Sequence, residues 1–387
     1  MRTVRRTLMI LAGCLAIALS SCEKDDYKKG GLIPGGGEYT PVLLDKVPGR
    51  NVVAYCTYYG KSIPDVNAVT QINYAFAELY VKDGEYKGFK LQGEESRFRQ
   101  IVDLKKKSSG LRILISFSHT VVNPDNAQGG GFSKMSSTEA GRKAFAKDCL
   151  AFCQKWGIDG VDIDWEMPGI SWSGHACDPM HDTENFTLLM SQLRQTLGNR
   201  YLVTYAGYVK NKVSDDDGSG RYFDLVALKD IVDYVYVMTY DLDAAPHHHS
   251  AIDDPRAYWD WKRTFEEYAK AGFPKEKMIF GVPFYARHSF SENPTAIDYK
   301  KILTLDESLY KIDNWDDKAG CPYISVKASG AFYAGYDNSR SMLFGSRNRR
   351  NRRKRKILSS GHGRTYKNLR FGRTNNKIFR TRTWARH

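Results

Sequence analysis

Four carboxylates fall within eight residues of this chain: Asp159, Asp162, Asp164 and Glu166. On an extended strand side chains alternate, so Asp162, Asp164 and Glu166 share one face while Val161, Ile163 and Trp165 share the other. Carboxyl groups are rarely buried without a partner or a purpose. Crowded in a row they repel, and at least one must hold a proton near neutral pH. A carboxylic acid that stays protonated at neutral pH is what a general acid requires. A calcium loop of the D-x-D-x-D-G kind does not fit, because its sixth position lacks glycine and the stretch reads as strand. The row is therefore read as catalytic, with Trp165 turned away from it to pack against a helix.

Such a row needs a rigid frame. Short apolar runs rich in β-branched and aromatic residues recur at 51–56, 71–79, 112–118, 160–166, 202–208, 233–241 and 277–286. Helical patterns separate several of them. Ser136 and Glu139 have capping-box spacing and open a helix expected to close at Gly157. Phe186, Leu189, Leu193 and Leu197 form a 3.6-period stripe ended by Gly198, and a further helix is predicted over 256–271. Alternating strands and helices imply a parallel sheet. No G-x-G-x-x-G turn is present, so an α/β fold of the (β/α)₈ TIM-barrel type over 50–342 is preferred to a doubly wound sheet. On a barrel strand the carboxylate row points inward, with Glu166 nearest the C-terminal rim.

Charge and punctuation divide the rest of the chain. The net charge of the 387 residues is +14, but 16 Lys/Arg and no Asp/Glu lie in 343–387, which leaves −2 for the first 342. The body thus has no electrostatic case for binding nucleic acid. At the other end, Arg2, Arg5 and Arg6 precede a mostly apolar segment over 8–20 that is too short to span a bilayer. Leu19, Ser20 and Ser21 before Cys22 resemble a bacterial lipobox, so 1–21 is read as a lipoprotein signal peptide and Cys22 as the lipidated residue. A polar, Gly-rich tether over 22–49 follows. The expected location is the bacterial cell envelope, lipid-anchored at the outer membrane or cell surface, with a periplasmic facing as the alternative. The remaining cysteines show no C-x-x-C pattern, and Cys149 and Cys153 lie on one helix face with Phe145, Phe152 and Trp156 as buried thiols. His247, His248 and His249 are consecutive, a spacing that does not let three side chains converge on one metal ion. They are placed on a rim loop touching substrate or solvent. No metal and no organic cofactor is expected.

Asp159, Asp162, Asp164 and Glu166 match the D-x-x-D-x-D-x-E signature of glycoside hydrolase family 18, the chitinase family. The resemblance runs along most of 50–342: residues 51–55 resemble the family's first strand, 72–77 its second, 238–241 (Met-Thr-Tyr-Asp) its sixth and 281–287 its seventh. It implies retaining hydrolysis without a protein nucleophile, an exception to the two-carboxylate scheme. Glu166 would protonate the leaving oxygen and later activate water. Asp164 would orient the substrate's acetamido group, Asp162 would share a proton with Asp164, and Tyr240 would hold the acetamido group through its hydroxyl. Asp241 and Met238 would shape the −1 sugar site, with Tyr55, Phe76 and Tyr285 as walls and Arg287 as a further sugar contact. Trp172, in the loop after the motif, is a candidate platform for another sugar. The implied partner is a polysaccharide or glycan containing N-acetylglucosamine, bound by a monomer. The implied reaction is hydrolysis of β-1,4-linked N-acetylglucosamine, in chitin or its oligosaccharides. An endo-β-N-acetylglucosaminidase acting on N-glycans, and a non-catalytic glycan-binding lipoprotein or inactive truncated product, are the alternatives.

The chain departs from the family pattern in three places. Ser116, Phe117, Ser118 and His119 stand where S-x-G-G is usual, a difference expected to be structural. The stretch between Arg287 and Gly335 reads as too short for the full α+β insertion of many processive chitinases, which predicts a shallow, endo-acting cleft. After Met342 the acidic residues vanish and no eighth strand can be traced; Trp384 lies in no matching context. The 45-residue tail reads either as a basic arm for an anionic surface or, preferably, as a shifted reading frame, leaving the barrel incomplete at its eighth unit.

Overall fold

The structure, a computed structural model, describes residues 51–126, 131–171, 176–338 and 341. The residues read as signal peptide and tether, with Cys22, Trp172 and the basic tail, lie outside the described residues. Seven parallel strands curl into one sheet in the order β1 (Val53–Thr57), β2 (Gln71–Lys82), β4 (Arg112–Ser118), β5 (Gly160–Asp164), β6 (Leu202–Gly207), β9 (Tyr234–Val237) and β10 (Met278–Phe280). An eighth strand, β3 (Glu85–Leu91), folds back antiparallel on β2. Asp83 and Gly84 make that reversal at φ 53° and 78°, the left-handed geometry a two-residue hairpin demands. Each of the seven predicted runs thus contributes a parallel strand, and the frame is an incomplete (β/α)₈ barrel.

Helices cover the outside of the sheet. They are α1 (Glu95–Val102), α2 (Gly131–Ser136), α3 (Glu139–Trp156), α4 (Asp182–Leu197), the single turn α5 (Leu225–Leu228) and α6 (Trp261–Lys270). Phe186, Leu189, Leu193 and Leu197 all face inward from α4, as their period requires. Cys149 and Cys153 are buried free thiols on α3, and Gly157 ends that helix at φ 63°. Two ends differ from expectation. Ser136 closes α2, and it is Thr138 whose hydroxyl caps α3 by accepting from the Gly141 N–H. The helix predicted from 256 begins only at Trp261, because Asp260 caps it through the Arg263 N–H.

The last predicted strand run is broken at 281–284. Its second half enters a separate five-stranded antiparallel sheet, ordered β12 (Ala296–Asp298), β11 (Tyr285–Arg287), β15 (Phe332–Gly335), β14 (Cys321–Val326) and β13 (Tyr310–Asp316). With the short helix α7 (Tyr299–Ile302) it encloses its own small core of Ala286, Ile297, Ile302, Ile324, Ala334 and Tyr336. The segment judged too short for the full α+β insertion forms an ordered five-stranded sheet with one short helix. Short strands closed by tight turns at Gly320 and Gly330 pack a five-strand sheet into few residues. Among the described residues, no helix is long and apolar enough to cross a membrane.

Candidate active site

The carboxylate row occupies β5 and the two residues after it, in the middle of the parallel sheet. Asp162 is fully buried and held by hydroxyls from three strands. Tyr55 on β1 donates to its Oδ2 at 2.8 Å, Ser116 on β4 to the same oxygen at 2.7 Å, and Thr204 on β6 to Oδ1 at 2.8 Å. Burial pushes the Asp162 carboxyl above its ordinary range, and the bonds from Ser116, Tyr55, Thr204 and Asn73 restrain that rise without cancelling it. Asp164 lies one strand repeat nearer the C-terminal end and is also buried, and Glu166 stands just beyond the strand end. Trp165 points the other way. Its ring stacks on Phe132 of α2 at 5.5 Å and meets Phe186 of α4 at 6.0 Å, which confirms the predicted alternation. Asp159 belongs to the opposite end of the strand, where it binds Lys105 at 2.7 Å, Arg112 at 3.3 Å and the Ile113 N–H at 2.8 Å. Its place is that of a strand anchor.

The loop that follows Glu166 is itself pinned. A small hairpin, β7 (Val213–Ser214) with β8 (Gly220–Arg221), lies over it, and the Tyr222 N–H donates to the Pro168 carbonyl at 2.9 Å. Gly169 sits at φ 71°, and a Cβ there would stand 1.9 Å from the Gly220 carbonyl oxygen. Only glycine permits that approach.

A second group assembles after β9. The Tyr240 ring meets Tyr285 edge-on at 6.5 Å, and a Cβ on Gly281 would stand 2.5 Å from Tyr240 Cε1. Asp241 has φ 56° and accepts from Arg287 Nε at 2.9 Å and Nη2 at 2.7 Å. Burial alone would raise the Asp241 carboxyl; His249 beside it, then the Arg287 guanidinium, hold it well below the usual carboxylate range. Arg287, proposed as a sugar contact, is thus engaged by Asp241 and by the Thr295 carbonyl at 3.1 Å. Met238 packs part-buried against the barrel core, and Phe76 is buried on β2. Tyr55 does more than form a wall, since its hydroxyl binds Asp162.

Two expectations need correction. Ser116 belongs to the Asp162 cradle, so the departure at 116–119 reaches the site itself. His248 and His249 are buried at 3% and 1% exposure, and only His247 faces solvent. Thr204 and Asn73 went unnoticed in the sequence. The signal at Thr204 was slight, a polar residue between the apolar Val203 and Tyr205, in register beside Asp162; Asn73 lies beside buried Gln71 on β2, whose amide donates to it. Among the described residues no group of three or more His, Cys, Asp or Glu side chains could hold a metal ion.

The model of the glycosyl hydrolases family 18 matches residues 51–343. This chain belongs to glycoside hydrolase family 18. Among family relatives, it is 29% identical to chitinase A1 of Niallia circulans over 254 residues, 54% of this chain and 35% of that protein. It is 25% identical to chitotriosidase-1 of Mus musculus over 58% of this chain and 48% of that one. The matched part spans about a third to a half of these two relatives. A family 18 N-acetylglucosaminidase from Paenibacillus barengoltzii shares the fold at TM-score 0.60 and 24% identity, covering 78% of this chain and 92% of that one. A family 18 chitinase variant from Cycas revoluta, solved with (GlcNAc)4, does so at TM-score 0.62 and 23% identity, covering the same shares.

Proposed function

We propose that this protein is a retaining glycoside hydrolase that cleaves β-1,4-linked N-acetylglucosamine in chitin or its oligosaccharides by substrate-assisted catalysis. The observation that carries the reading is the graded row on β5: a deep Asp162 satisfied by three hydroxyls, then Asp164, then Glu166 at the open end. Its support beyond geometry is the family and the chitinases among its relatives. In the first step the acetamido oxygen attacks the anomeric carbon, the glycosidic C–O bond breaks, and Glu166 gives its proton to the departing oxygen. An oxazolinium-like species results. In the second, the Glu166 carboxylate takes a proton from water, whose oxygen adds to the anomeric carbon and releases the acetamido group with overall retention. Asp164 accepts from the acetamido N–H and stabilises the developing charge. Asp162 is too deep to reach sugar and acts on Asp164, sharing its proton.

Replacing Glu166 by Gln removes the acid and keeps the shape. Turnover of chitooligosaccharides should fall by about 10²–10⁴-fold, while calorimetric binding of the same oligosaccharides persists. Undiminished turnover in E166Q sinks the proposal. Release of N-glycans from a high-mannose glycoprotein, with chitin oligomers left intact, would instead identify an endo-β-N-acetylglucosaminidase.

The envelope location is proposed on the lipobox-like residues before Cys22. Bacterial cells expressing the chain should incorporate a clickable palmitate analogue into it, and Cys22→Ser should abolish that labelling. Equal labelling of both chains, or none of either, contradicts the anchor.

A further inference from the structure

His249 makes no direct claim on a sugar, yet it closes the loop on which Tyr240 and Asp241 begin. Two consecutive amides end on this one residue: the Asp241 N–H donates to His249 Nδ1 at 3.3 Å, and the Leu242 N–H donates to the His249 carbonyl at 3.1 Å. The same Nδ1 stands 3.5 Å from Asp241 Oδ1. The ring is 1% exposed and lies 5.1 Å from the Tyr285 ring. One nitrogen therefore faces both a donor and an acceptor of the same residue.

We infer that His249 is a positioning residue for Asp241, its bare Nδ1 fixing the Asp241 amide with the ring proton on Nε2. This rests on the proposed glycosidase reading, because Asp241 matters for turnover only if it lines the −1 sugar site. An N–H acceptor at this spot is needed because Asp241 has φ 56°, a conformation that a residue with a side chain adopts only when its surroundings hold it. The charged and titratable groups around the ring are Asp241, Arg287 and Tyr285 on one side and Asp337 and His248 on the other, with Asp316 on the far side of His248 at 3.3 Å. Asp337 offers a natural counterpart for the second nitrogen. Its Oδ2 and His249 Nε2 are both buried without a hydrogen-bond partner among the described residues, and an imidazolium at His249 would lower the Asp337 carboxyl.

The test uses the full chain and two variants. His249→Asn keeps a non-titrating amide group near the Nδ1 position, whereas His249→Ala removes it. H249A should raise KM for a chitooligosaccharide about tenfold with kcat within about threefold, as expected for one lost buried hydrogen bond. H249N should recover most of that KM, because its side-chain amide can again accept from the Asp241 N–H. Independently of turnover, ¹⁵N shifts of the His249 ring in the wild type should report the Nε2–H tautomer in the neutral form. Equal loss of kcat and KM in both variants, or an Nδ1–H neutral tautomer, overturns the inference. A folded wild type that shows the Nε2–H tautomer but turns over no N-acetylglucosamine substrate overturns the glycosidase reading and leaves the His249–Asp241 link in place.

Discussion

At Asp162 two opposed effects act on a single carboxyl group. Removal from water favours the neutral form, while three hydroxyl donors favour the anion, and burial wins. The sign of the consequence follows from linkage. A carboxyl raised above its ordinary value of 3.8 binds its proton more readily in the folded chain, so it stabilises the fold below that value and the contribution is lost as pH rises through the folded one. Asp162→Asn does not titrate. The stability of the wild type relative to D162N, measured by thermal unfolding, should therefore decline as pH rises from about 4 toward 7; a difference that stays flat over that range contradicts the assignment. Asp241 carries the opposite sign, because His249 and Arg287 hold its carboxyl low, and what it contributes is lost as pH falls. The acidic members of the site were legible in the sequence because carboxylates so rarely sit in strands. The hydroxyls around them were not. Ser116, Thr204 and Tyr55 are common residue types in strands, and their role appears only once the sheet brings β1, β4 and β6 around β5.

Among the elements, β5 shows most plainly how strand alternation divides labour. Its inward positions carry the carboxylates, while Val161 and Ile163 are fully buried in the core between sheet and helices, and Trp165 beyond the strand end is nearly so. Trp165→Ala would leave every carboxylate in place and remove the ring stacked between α2 and α4. The expected cost is about 3–5 kcal/mol by urea unfolding, and a loss below about 1 kcal/mol would mean that the helices close over the gap. Periodicity located the long elements well, as α4 and its Gly198 terminus show. Ends were less legible, since Ser136 and Thr138 both suit a cap and only the packing of α2 against α3 decides between them. The second sheet was hidden for a related reason. Its strands are short and its alternation mixed, with Lys311 and Asp313 exposed on β13 beside part-buried neighbours, so the segment resembles a polar loop until the strands pair.

For the molecule as a whole, net charge misleads until it is mapped, because a basic 45-residue end conceals a nearly neutral body. The fold class was legible from the succession of strands and helices, and the family from one acidic motif supported by Met238, Thr239, Tyr240 and Asp241. What no local pattern conveyed is how the two sheets are joined. Arg287 on β11 reaches Asp241, Asp316 on β13 faces His248 and Arg256, and the Cys321 thiol on β14 donates to the Ser250 carbonyl at 3.4 Å. These ties run from the second sheet to the loop after β9. That makes the barrel and its insertion a poor pair for modular engineering. A minimal core made by excising 285–335 would discard Tyr285 and Arg287, leave the buried Asp241 without its guanidinium partner, and uncover both histidines. The part that looks detachable is the buttress of the active centre.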